Sequence, residues 1–487
     1  MPYNLRRVQP HPNEPALKRF ESIIAGLGVF ALYAATLAPD VLWGDPAKLT
    51  LYLYESNVTF DQDAHVGTLA WSWLFAQLPF GTFVQKLHLS SAVATALATG
   101  LLHSTLRNAN IGRAAAWIAV LAIAVAHTVW FVSVMIESYA TSLLALSLMT
   151  WLLVVRRSTL GAGFVLGLSW IIHPLTLLSL PAIASVLWRQ PSGRRACLRF
   201  AVGLLAGAIV PLIVLPIVPG ARPDSGLGWE SVLSTYTSWS LPMRNTPYLF
   251  AYLIYNFVGP ALLLIFFGWR RMSVTQRRAG WLLFVAHMGF GVFYLPSRAF
   301  LIPLPLYFAA TYPIALGAEA LLKRWRLSPW ILAASVALTP PATYAAGAAL
   351  VGVLGLPSIV RDAPFRNEAT YYLQPWKFGE NSARQYVECL RDKIGFGALV
   401  VGDFTILMPL HYAQEVEAWR PDITLWSVDH RSADEIVAQL RSALRSHRRL
   451  YLLDDEPGYH VHALRQLGHL QPVANMPSLR ELVPSEK

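Results

Sequence analysis

The sequence predicts a polytopic α-helical membrane protein of about eleven transmembrane helices, followed by a smaller α/β domain at the C-terminus. Hydrophobic residues make up 55% of the 487 residues and charged residues only 14%, a composition too apolar for one soluble core of this length. Apolar runs recur at the length of a bilayer, and basic residues are concentrated in alternate turns between them. The protein is therefore expected to lie in a membrane and to contact its lipids.

The predicted membrane domain covers residues 20–357, after a cytoplasmic tail of residues 1–19. Its first apolar run follows basic residues but has no convincing cleavage site, so we expect it to remain as an uncleaved span. The short pair at 160–188 can also form a re-entrant hairpin. The predicted spans are residues 20–37, 86–106, 113–132, 138–155, 160–173, 175–188, 200–218, 248–268, 279–295, 299–322 and 329–354, with an interfacial helix at 71–83.

The distribution of basic residues predicts the orientation in the membrane. Arginine-rich and lysine-rich turns alternate with turns that are acidic or nearly neutral. By the positive-inside rule the N-terminus is cytoplasmic, and the first loop and the C-terminal domain lie outside the cytoplasm, as in a bacterial inner membrane. The formal net charge of +11 comes from these short clusters, which argues against nucleic acid as a partner. The two distant cysteines indicate no disulfide framework.

Residues 358–487 change in composition and form the predicted extracytoplasmic α/β domain. Short apolar runs at 398–401, 423–428 and 450–453 alternate with amphipathic runs at 407–419, 433–446 and 461–467. Strands that alternate with helical patterns are typical of a small α/β domain. No motif in it predicts chemistry, and only its location suggests that it binds an acceptor.

The candidate chemistry lies in the first outer loop, residues 39–65, which gathers acidic residues between two apolar segments. In this loop Asp45 precedes Pro46, a pair typical of a helix start, so one interpretation of Asp45 is a plain N-cap. The functional interpretation is a general base. Sugar transfer from a polyprenyl phosphate needs one carboxylate to take the proton of the acceptor hydroxyl, because the phosphate leaves as a stable anion. The two roles are compatible.

Other residues of the loop are candidate ligands for the substrate. Asp61, Asp63 and His65 are residue types found in metal sites, but such short spacings are common by chance. A contact of Asp63 or His65 with a sugar hydroxyl or a phosphate is favoured over a divalent metal, and no cofactor is predicted. Lys48, the only lysine or arginine of the loop, can bind a phosphate.

Three further polar residues fall at predicted outer edges of the membrane. Glu137 lies in the turn between two spans, where it can bind a substrate or simply reach water. His173 precedes a proline, a setting that is more often structural than catalytic. Arg298 is the only basic residue of its turn and departs from the charge asymmetry. Its guanidinium matches a phosphate, although lipid headgroups would satisfy it too.

Short motifs occur in a fixed order along the chain. They are Leu37-Ala38-Pro39-Asp40-Val41-Leu42-Trp43-Gly44-Asp45, His65 with Trp73-Leu74-Phe75 and Leu78-Pro79-Phe80-Gly81, Glu137-Ser138-Tyr139, Gly167-Leu168 with His173 and Leu175-Thr176, and Gly402-Asp403 with Tyr412-Ala413-Gln414-Glu415-Val416-Glu417 and Arg420-Pro421-Asp422. With them the chain resembles the GT-C type of membrane glycosyltransferase, and within that type the protein O-mannosyltransferase family of transmembrane protein 260 and its bacterial relatives. The resemblance covers nearly the whole chain and is strongest over residues 37–181.

The resemblance implies a GT-C fold and a transfer, of the inverting kind, from a polyprenyl-phosphate sugar to an acceptor protein or glycan outside the cytoplasm. It implies mannose as the sugar, Asp45 as the catalytic base, Glu137 as a second acidic site residue and Arg298 as a residue near the donor phosphate. The chain departs from the family at two positions. Lys48 stands where the family usually has a glutamate, and Ser297 replaces the acidic partner of Arg298.

Two alternative functions remain open at this point. A transporter or flippase of a lipid-linked sugar is one, but it should place charged residues in the middle of its spans, whereas here they cluster at the edges. A non-catalytic receptor or scaffold, whose C-terminal domain binds a partner, is the other, and the departure at Lys48 keeps it open.

Overall fold

The computed structural model describes residues 14–55, 65–214, 240–294, 300–355, 362–429, 431–455, 457–474 and 476–484. Two predicted site residues, Asp63 and Arg298, lie outside the described residues, as do Asp61 and Ser297. The other predicted site residues are described: Asp45, Lys48, His65, Glu137 and His173.

The membrane part of the described chain is helical, as expected where a bilayer offers no water to the backbone. Its helices are α1 (Glu14–Ala34), α2 (Asp45–Tyr54), α3 (Val66–Ala76), α4 (Phe83–Asn108), α5 (Arg113–Ala124), α6 (His127–Ser133), α7 (Ser138–Val154), α8 (Thr159–Leu168), α9 (Leu180–Trp188), α10 (Gly193–Val214), α11 (Ser240–Asn256), α12 (Pro260–Trp269), α13 (Val274–Gly291), α14 (Leu304–Trp325) and α15 (Pro329–Leu354). Two 3₁₀ turns, Ser169–Ile171 and Pro174–Ser179, lie between α8 and α9.

By length and composition, three of these helices can cross a membrane: α4, α10 and α15. The number rises to five if each of two bent pairs counts as one span, namely α5 with α6, bent by 66°, and α11 with α12, bent by 99°. Within the residues that the structure describes, these three to five spans are fewer than the eleven or so predicted from hydropathy. The break at Gly259-Pro260 divides the predicted run 248–268, whereas α7, with 17 residues, covers nearly all of its predicted run 138–155.

One amide side chain connects the two bends. Asn256 ends α11 and is 1% exposed. Its Oδ1 accepts the backbone N–H of Thr128 at 2.8 Å, and its Nδ2 donates to Thr128 Oγ1 at 3.0 Å. Thr128 lies in the first turn of α6, where backbone N–H groups have no partner within the helix. Asn256 therefore satisfies a buried group that the break between α5 and α6 leaves open.

The C-terminal part contains a five-stranded sheet in the order β2-β1-β3-β5-β4. The strands β1, β2 and β3 are parallel, and β5 runs antiparallel to both β3 and β4. This confirms the predicted alternation of three strands with helices and adds an antiparallel pair to it. The elements are α16 (Glu368–Leu373), α17 (Ser382–Leu390), β1 (Leu399–Gly402), α18 (Phe404–Glu417), β2 (Thr424–Ser427), α19 (Ala433–Arg445), β3 (Leu450–Leu452), α20 (Val461–Leu464), β4 (Gly468–Val473) and β5 (Met476–Pro484).

Helices α8 and α10 pack backbone to backbone through glycines. Gly163 and Gly167 of α8 face Gly203 and Gly207 of α10, each pair at the four-residue spacing typical of close helix contacts in membranes. A Cβ atom at any of the four would overlap a carbonyl oxygen of the opposite helix. These positions therefore require glycine because of the close approach and not because of the backbone angles.

We expect Gly203→Ala to lower the free energy of unfolding by about 1–3 kcal/mol, because the added methyl group must push α8 and α10 apart. Thermal unfolding of the purified protein in detergent measures the effect. Gly352→Ala is the matched control, since Gly352 also lies in a membrane helix and nothing lies within 4 Å of its added Cβ. Equal stability of the two variants would contradict the proposed tight contact.

Candidate active site

The first outer loop places Asp45 at the start of α2. Gly44 is the N-cap, with φ 70° and ψ −127°, a conformation that glycine adopts without strain. Asp45 is the first helical residue, so the interpretation of Asp45 as the N-cap is wrong. Pro46 follows at a position where its missing N–H costs no helical hydrogen bond. The carboxylate of Asp45 is thus held at the end of the helix that attracts negative charge.

A cleft of about 170 Å³ opens beside this helix start. Asp45 and Glu137, two of the predicted site residues, both line it. The cleft therefore combines two carboxylates with one guanidinium and several aromatic rings. Its lining residues are Trp43, Gly44, Asp45, Pro46, Phe131, Met135, Glu137, Phe300, Leu301, Arg366, Tyr371, Tyr372 and Thr405.

A buried histidine joins the two segments that carry these carboxylates. His88 of α4 is fully buried. Its Nδ1 accepts the N–H of Ile136 at 2.9 Å, so its Nε2 carries the proton and donates to the carbonyl of Asp40 at 3.2 Å. Ile136 directly precedes Glu137, and Asp40 belongs to the loop that leads to Asp45. One neutral imidazole thus holds the two walls of the cleft at a fixed spacing.

The cationic residue of the cleft is Arg366, which sequence reasoning missed. Arg366 is 8% exposed and donates from Nε and Nη2 to the carboxylate of Glu368, at 2.6 and 2.9 Å. Its guanidinium also lies over the rings of Tyr371 and Tyr372, at 4.5 and 5.3 Å from the ring centroids. Burial raises the pKa of Glu368, while the ion pair with Arg366 opposes that rise. Arg366 is therefore held rigidly at the wall of the cleft.

A signal for Arg366 was present in the sequence. It follows the last span on the side predicted to be extracytoplasmic, and so departs from the positive-inside rule as Arg298 does. Two tyrosines follow it within six residues. The criterion that selected Arg298, a single basic residue in its turn, does not select Arg366, because Arg361 lies five residues before it.

The C-terminal domain is fixed to the loop beside the cleft. Arg384 of α17 binds both oxygens of Asp40, at 2.7 and 3.0 Å, and also the carboxylate of Glu417 at the end of α18. These hydrogen bonds to Glu417 and Asp40 raise the pKa of Arg384. Trp43 donates to Ser382 Oγ at 2.8 Å and packs against the C-terminal domain. The domain can therefore contribute Arg366, Tyr371, Tyr372 and Thr405 to the cleft.

The two predicted histidines come together, but they are not among the residues that line the cleft. The rings of His65 and His173 stack with centroids 4.8 Å apart, and Tyr139 lies against His173 at 4.6 Å. His65 Nδ1 hydrogen-bonds to the carbonyl of Ile172 at 2.9 Å, while His173 Nδ1 accepts the N–H of Leu175 at 3.2 Å. These contacts hold both rings at the junction of α3, α7 and the 3₁₀ turns.

Lys48 lies between the loop helix and the C-terminal domain. It is 7% exposed, and its ammonium lies over Tyr52 of α2 and Phe404 of α18, at 5.5 and 5.7 Å from the ring centroids. It does not line the cleft. Among the described residues no group of three or more histidine, cysteine or acidic side chains could hold a metal ion.

A second cavity, of about 720 Å³, lies among the membrane helices α4, α7, α9 and α11–α14. Its walls are almost wholly apolar. The two spaces lie near each other along the chain: Phe300 and Leu301, before α14, line the cleft, whereas Pro305 and Leu306, in its first turn, line the cavity. Other lining residues are Leu102, Leu146, Met149, Leu253, Phe257, Leu283 and Phe308.

Comparison with solved structures finds a similar fold. The structure of ArnT from Cupriavidus metallidurans, bound to undecaprenyl phosphate, matches with a TM-score of 0.59 and 13% sequence identity. The match covers 97% of this chain and 98% of that chain, so the membrane part and the C-terminal part are both included. No family model matches the chain, and no curated protein matches it.

We expect His88→Phe to loosen the cleft, because it leaves the buried N–H of Ile136 and the carbonyl of Asp40 without their partner. The free energy of unfolding should fall by about 1–3 kcal/mol for each unsatisfied group. Hydrogen exchange followed by mass spectrometry should show faster exchange in residues 39–46 and 135–138.

His103→Phe is the control for this prediction, since His103 is also fully buried in α4 but lies away from the cleft, beside Ser22. In His103→Phe, hydrogen exchange should become faster around residue 103 and stay unchanged in residues 39–46 and 135–138. Unchanged exchange of the cleft segments in His88→Phe would contradict the bridging role.

Proposed function

We propose that this protein is a membrane glycosyltransferase that transfers a sugar from a polyprenyl-phosphate donor to an acceptor outside the cytoplasm. One observation carries the proposal: Asp45, Glu137 and Arg366 line a single cleft where the membrane helices meet the C-terminal domain. The fold gives independent support, because ArnT is a GT-C glycosyltransferase whose similar structure holds undecaprenyl phosphate.

In the proposed reaction Asp45 is the general base. Its carboxylate takes the proton of the acceptor hydroxyl as the oxygen attacks the anomeric carbon of the sugar. The bond from that carbon to the phosphate oxygen breaks, and the polyprenyl phosphate leaves as an anion that needs no proton. Attack from the face opposite the phosphate inverts the anomeric configuration. Glu137 accepts hydrogen bonds from sugar hydroxyls on the other wall.

Arg366 is proposed to face the phosphate of the donor. A guanidinium matches phosphate oxygens in charge and geometry, and Arg366 is already oriented by Glu368 and by two tyrosine rings. A preorganised cation stabilises the charge that develops on the leaving group. Arg298, Asp63, Lys48, His65 and His173 remain proposed contacts of the donor.

The apolar cavity is suited to the hydrocarbon tail of the donor. A polyprenyl tail comes from the hydrocarbon of the bilayer, so it needs walls without unsatisfied polar groups, and the walls of this cavity are almost free of polar atoms. With the phosphate in the cleft beside Phe300 and Leu301, the first part of the tail would pass Pro305 and Leu306 into the cavity. By the sequence resemblance the sugar is mannose and the acceptor is a protein or a glycan.

We expect Asp45→Asn to lower the turnover number about 10²–10⁴-fold, because an amide cannot take the acceptor proton. Binding of undecaprenyl phosphate should be retained. Transfer of radiolabel from polyprenyl-phosphate mannose, in proteoliposomes with extracytoplasmic acceptors, measures the loss. Asp392→Asn, which changes an exposed carboxylate of the C-terminal domain, should keep full activity. Normal turnover of Asp45→Asn would refute the proposed base.

We expect Arg366→Met to raise the KM for the donor about 10–100-fold, as the loss of a charged hydrogen bond to phosphate requires. The matched control is Arg431→Met. Arg431 also stacks on an aromatic ring, Trp426 at 4.7 Å, but lies outside the cleft. An unchanged donor KM in folded Arg366→Met would remove this residue from the phosphate site.

A further inference from the structure

Lys377 is a buried cation in the segment that joins α16 to α17. Its side chain is 2% exposed. Its Nζ donates to the carbonyl oxygens of Tyr371 at 2.8 Å and Gln374 at 2.6 Å. Its backbone N–H donates to the carbonyl of Thr36 at 3.0 Å, which fixes the segment to the end of the first membrane helix. The ammonium is thus held at one point, below the wall of the cleft.

No carboxylate among the described residues forms an ion pair with Lys377. A buried charge costs several kcal/mol when water is removed, and carbonyl dipoles recover only part of that cost. A neutral donor could cap the carbonyls at the end of α16 without this cost. Capping these carbonyls therefore does not by itself explain why a lysine is buried at position 377.

The ammonium contacts two aromatic rings that line the cleft. It lies 4.5 Å from the centroid of Phe131 and 4.9 Å from that of Tyr371. Arg366 lies over Tyr371 as well, at 4.5 Å. Tyr371 is therefore contacted by two cations, of which Arg366 lines the cleft and Lys377 lies behind its wall.

We propose that Lys377 is a positioning residue for the donor phosphate. It holds the rings of Phe131 and Tyr371, and through Tyr371 the guanidinium of Arg366, in the wall of the cleft. Its positive charge also adds to the potential that an anion meets there. This inference rests on the proposed function and extends it, because it assigns to the phosphate site a residue that touches neither sugar nor phosphate.

The charge of Lys377 depends on pH near neutrality. Burial lowers the pKa of Lys377 from its ordinary value to about 7. The nearby Glu380 raises this pKa, whereas Arg366, which is paired with Glu368, lowers it further. His127 of α6 also faces the ammonium, behind Phe131. An anion in the cleft favours the protonated form, so donor affinity should fall as the pH rises above about 7.

The test measures the Kd of undecaprenyl phosphate for the full-length protein in detergent, from about pH 6 to pH 9. Wild type is compared with Lys377→Met and Lys377→Arg. We expect Lys377→Met to bind about tenfold more weakly than wild type at the acid end and equally at the alkaline end, where wild-type Lys377 is neutral. Lys377→Arg should keep its affinity for undecaprenyl phosphate up to about pH 9, because arginine stays charged over this range. Titration of the lipid phosphate is common to the three proteins and cancels in the ratios.

Three outcomes separate the possibilities. If Lys377→Met binds more weakly than wild type by the same factor at every pH, Lys377 has only a structural role. That result overturns the inference, while the proposed function stands. Equal affinity of the two at every pH overturns it as well. Failure of the wild type to bind undecaprenyl phosphate overturns the proposed function together with the inference. Arg448→Met is the stability control, because Arg448 also donates to two carbonyls, those of Gly397 and Ala398, and does not line the cleft.

Discussion

The whole arrangement depends on holding one carboxylate at the boundary between the membrane helices and the C-terminal domain. Asp45 begins a helix that follows a segment without regular secondary structure, and two interactions fix that segment at Asp40. On the membrane side the imidazole of His88 accepts from Ile136 and donates to the carbonyl of Asp40. On the other side Arg384 binds the carboxylate of the same residue. Asp45 follows five residues later at a helix start, so its position is set from both sides.

Charges of opposite sign reach the cleft from different parts of the chain. The carboxylates Asp45 and Glu137 come from the membrane part, whereas Arg366 comes from the segment that precedes the sheet. Neither part holds the complete site. Beside the cleft, polar and aromatic contacts of Trp43, Arg384 and Lys48 bridge the two parts.

The sequence predicted a mostly helical chain and the alternation of strands and helices in the C-terminal part, and it selected two acidic residues, Asp45 and Glu137, that line one cleft. Asp45 was selected by its place before Pro46 and Glu137 by its place in a turn between two spans, each together with the family resemblance. His88 was not found, since its role arises from contacts with Ile136 and Asp40, far away in the chain. Arg366 was not found although its partners Glu368, Tyr371 and Tyr372 follow it closely. The bends within two of the predicted runs were not located, because hydropathy does not distinguish a straight helix from two short ones joined at a break, as at Gly259. Asp63 and Arg298 lie outside the described residues and stay predictions.

The amide of Asn256 has a consequence for how this membrane part can vary among related proteins. In hydrocarbon a helix can break only where another group takes over the hydrogen bonds that the break releases. Here Asn256, which ends α11, hydrogen-bonds to Thr128 in the first turn of α6. The break after α11 and the break before α6 therefore depend on the same pair of residues. Relatives should therefore keep both breaks or lose both, and a substitution at Asn256 should be accompanied by a change at Thr128. Such paired change could be sought in the sequences of homologues.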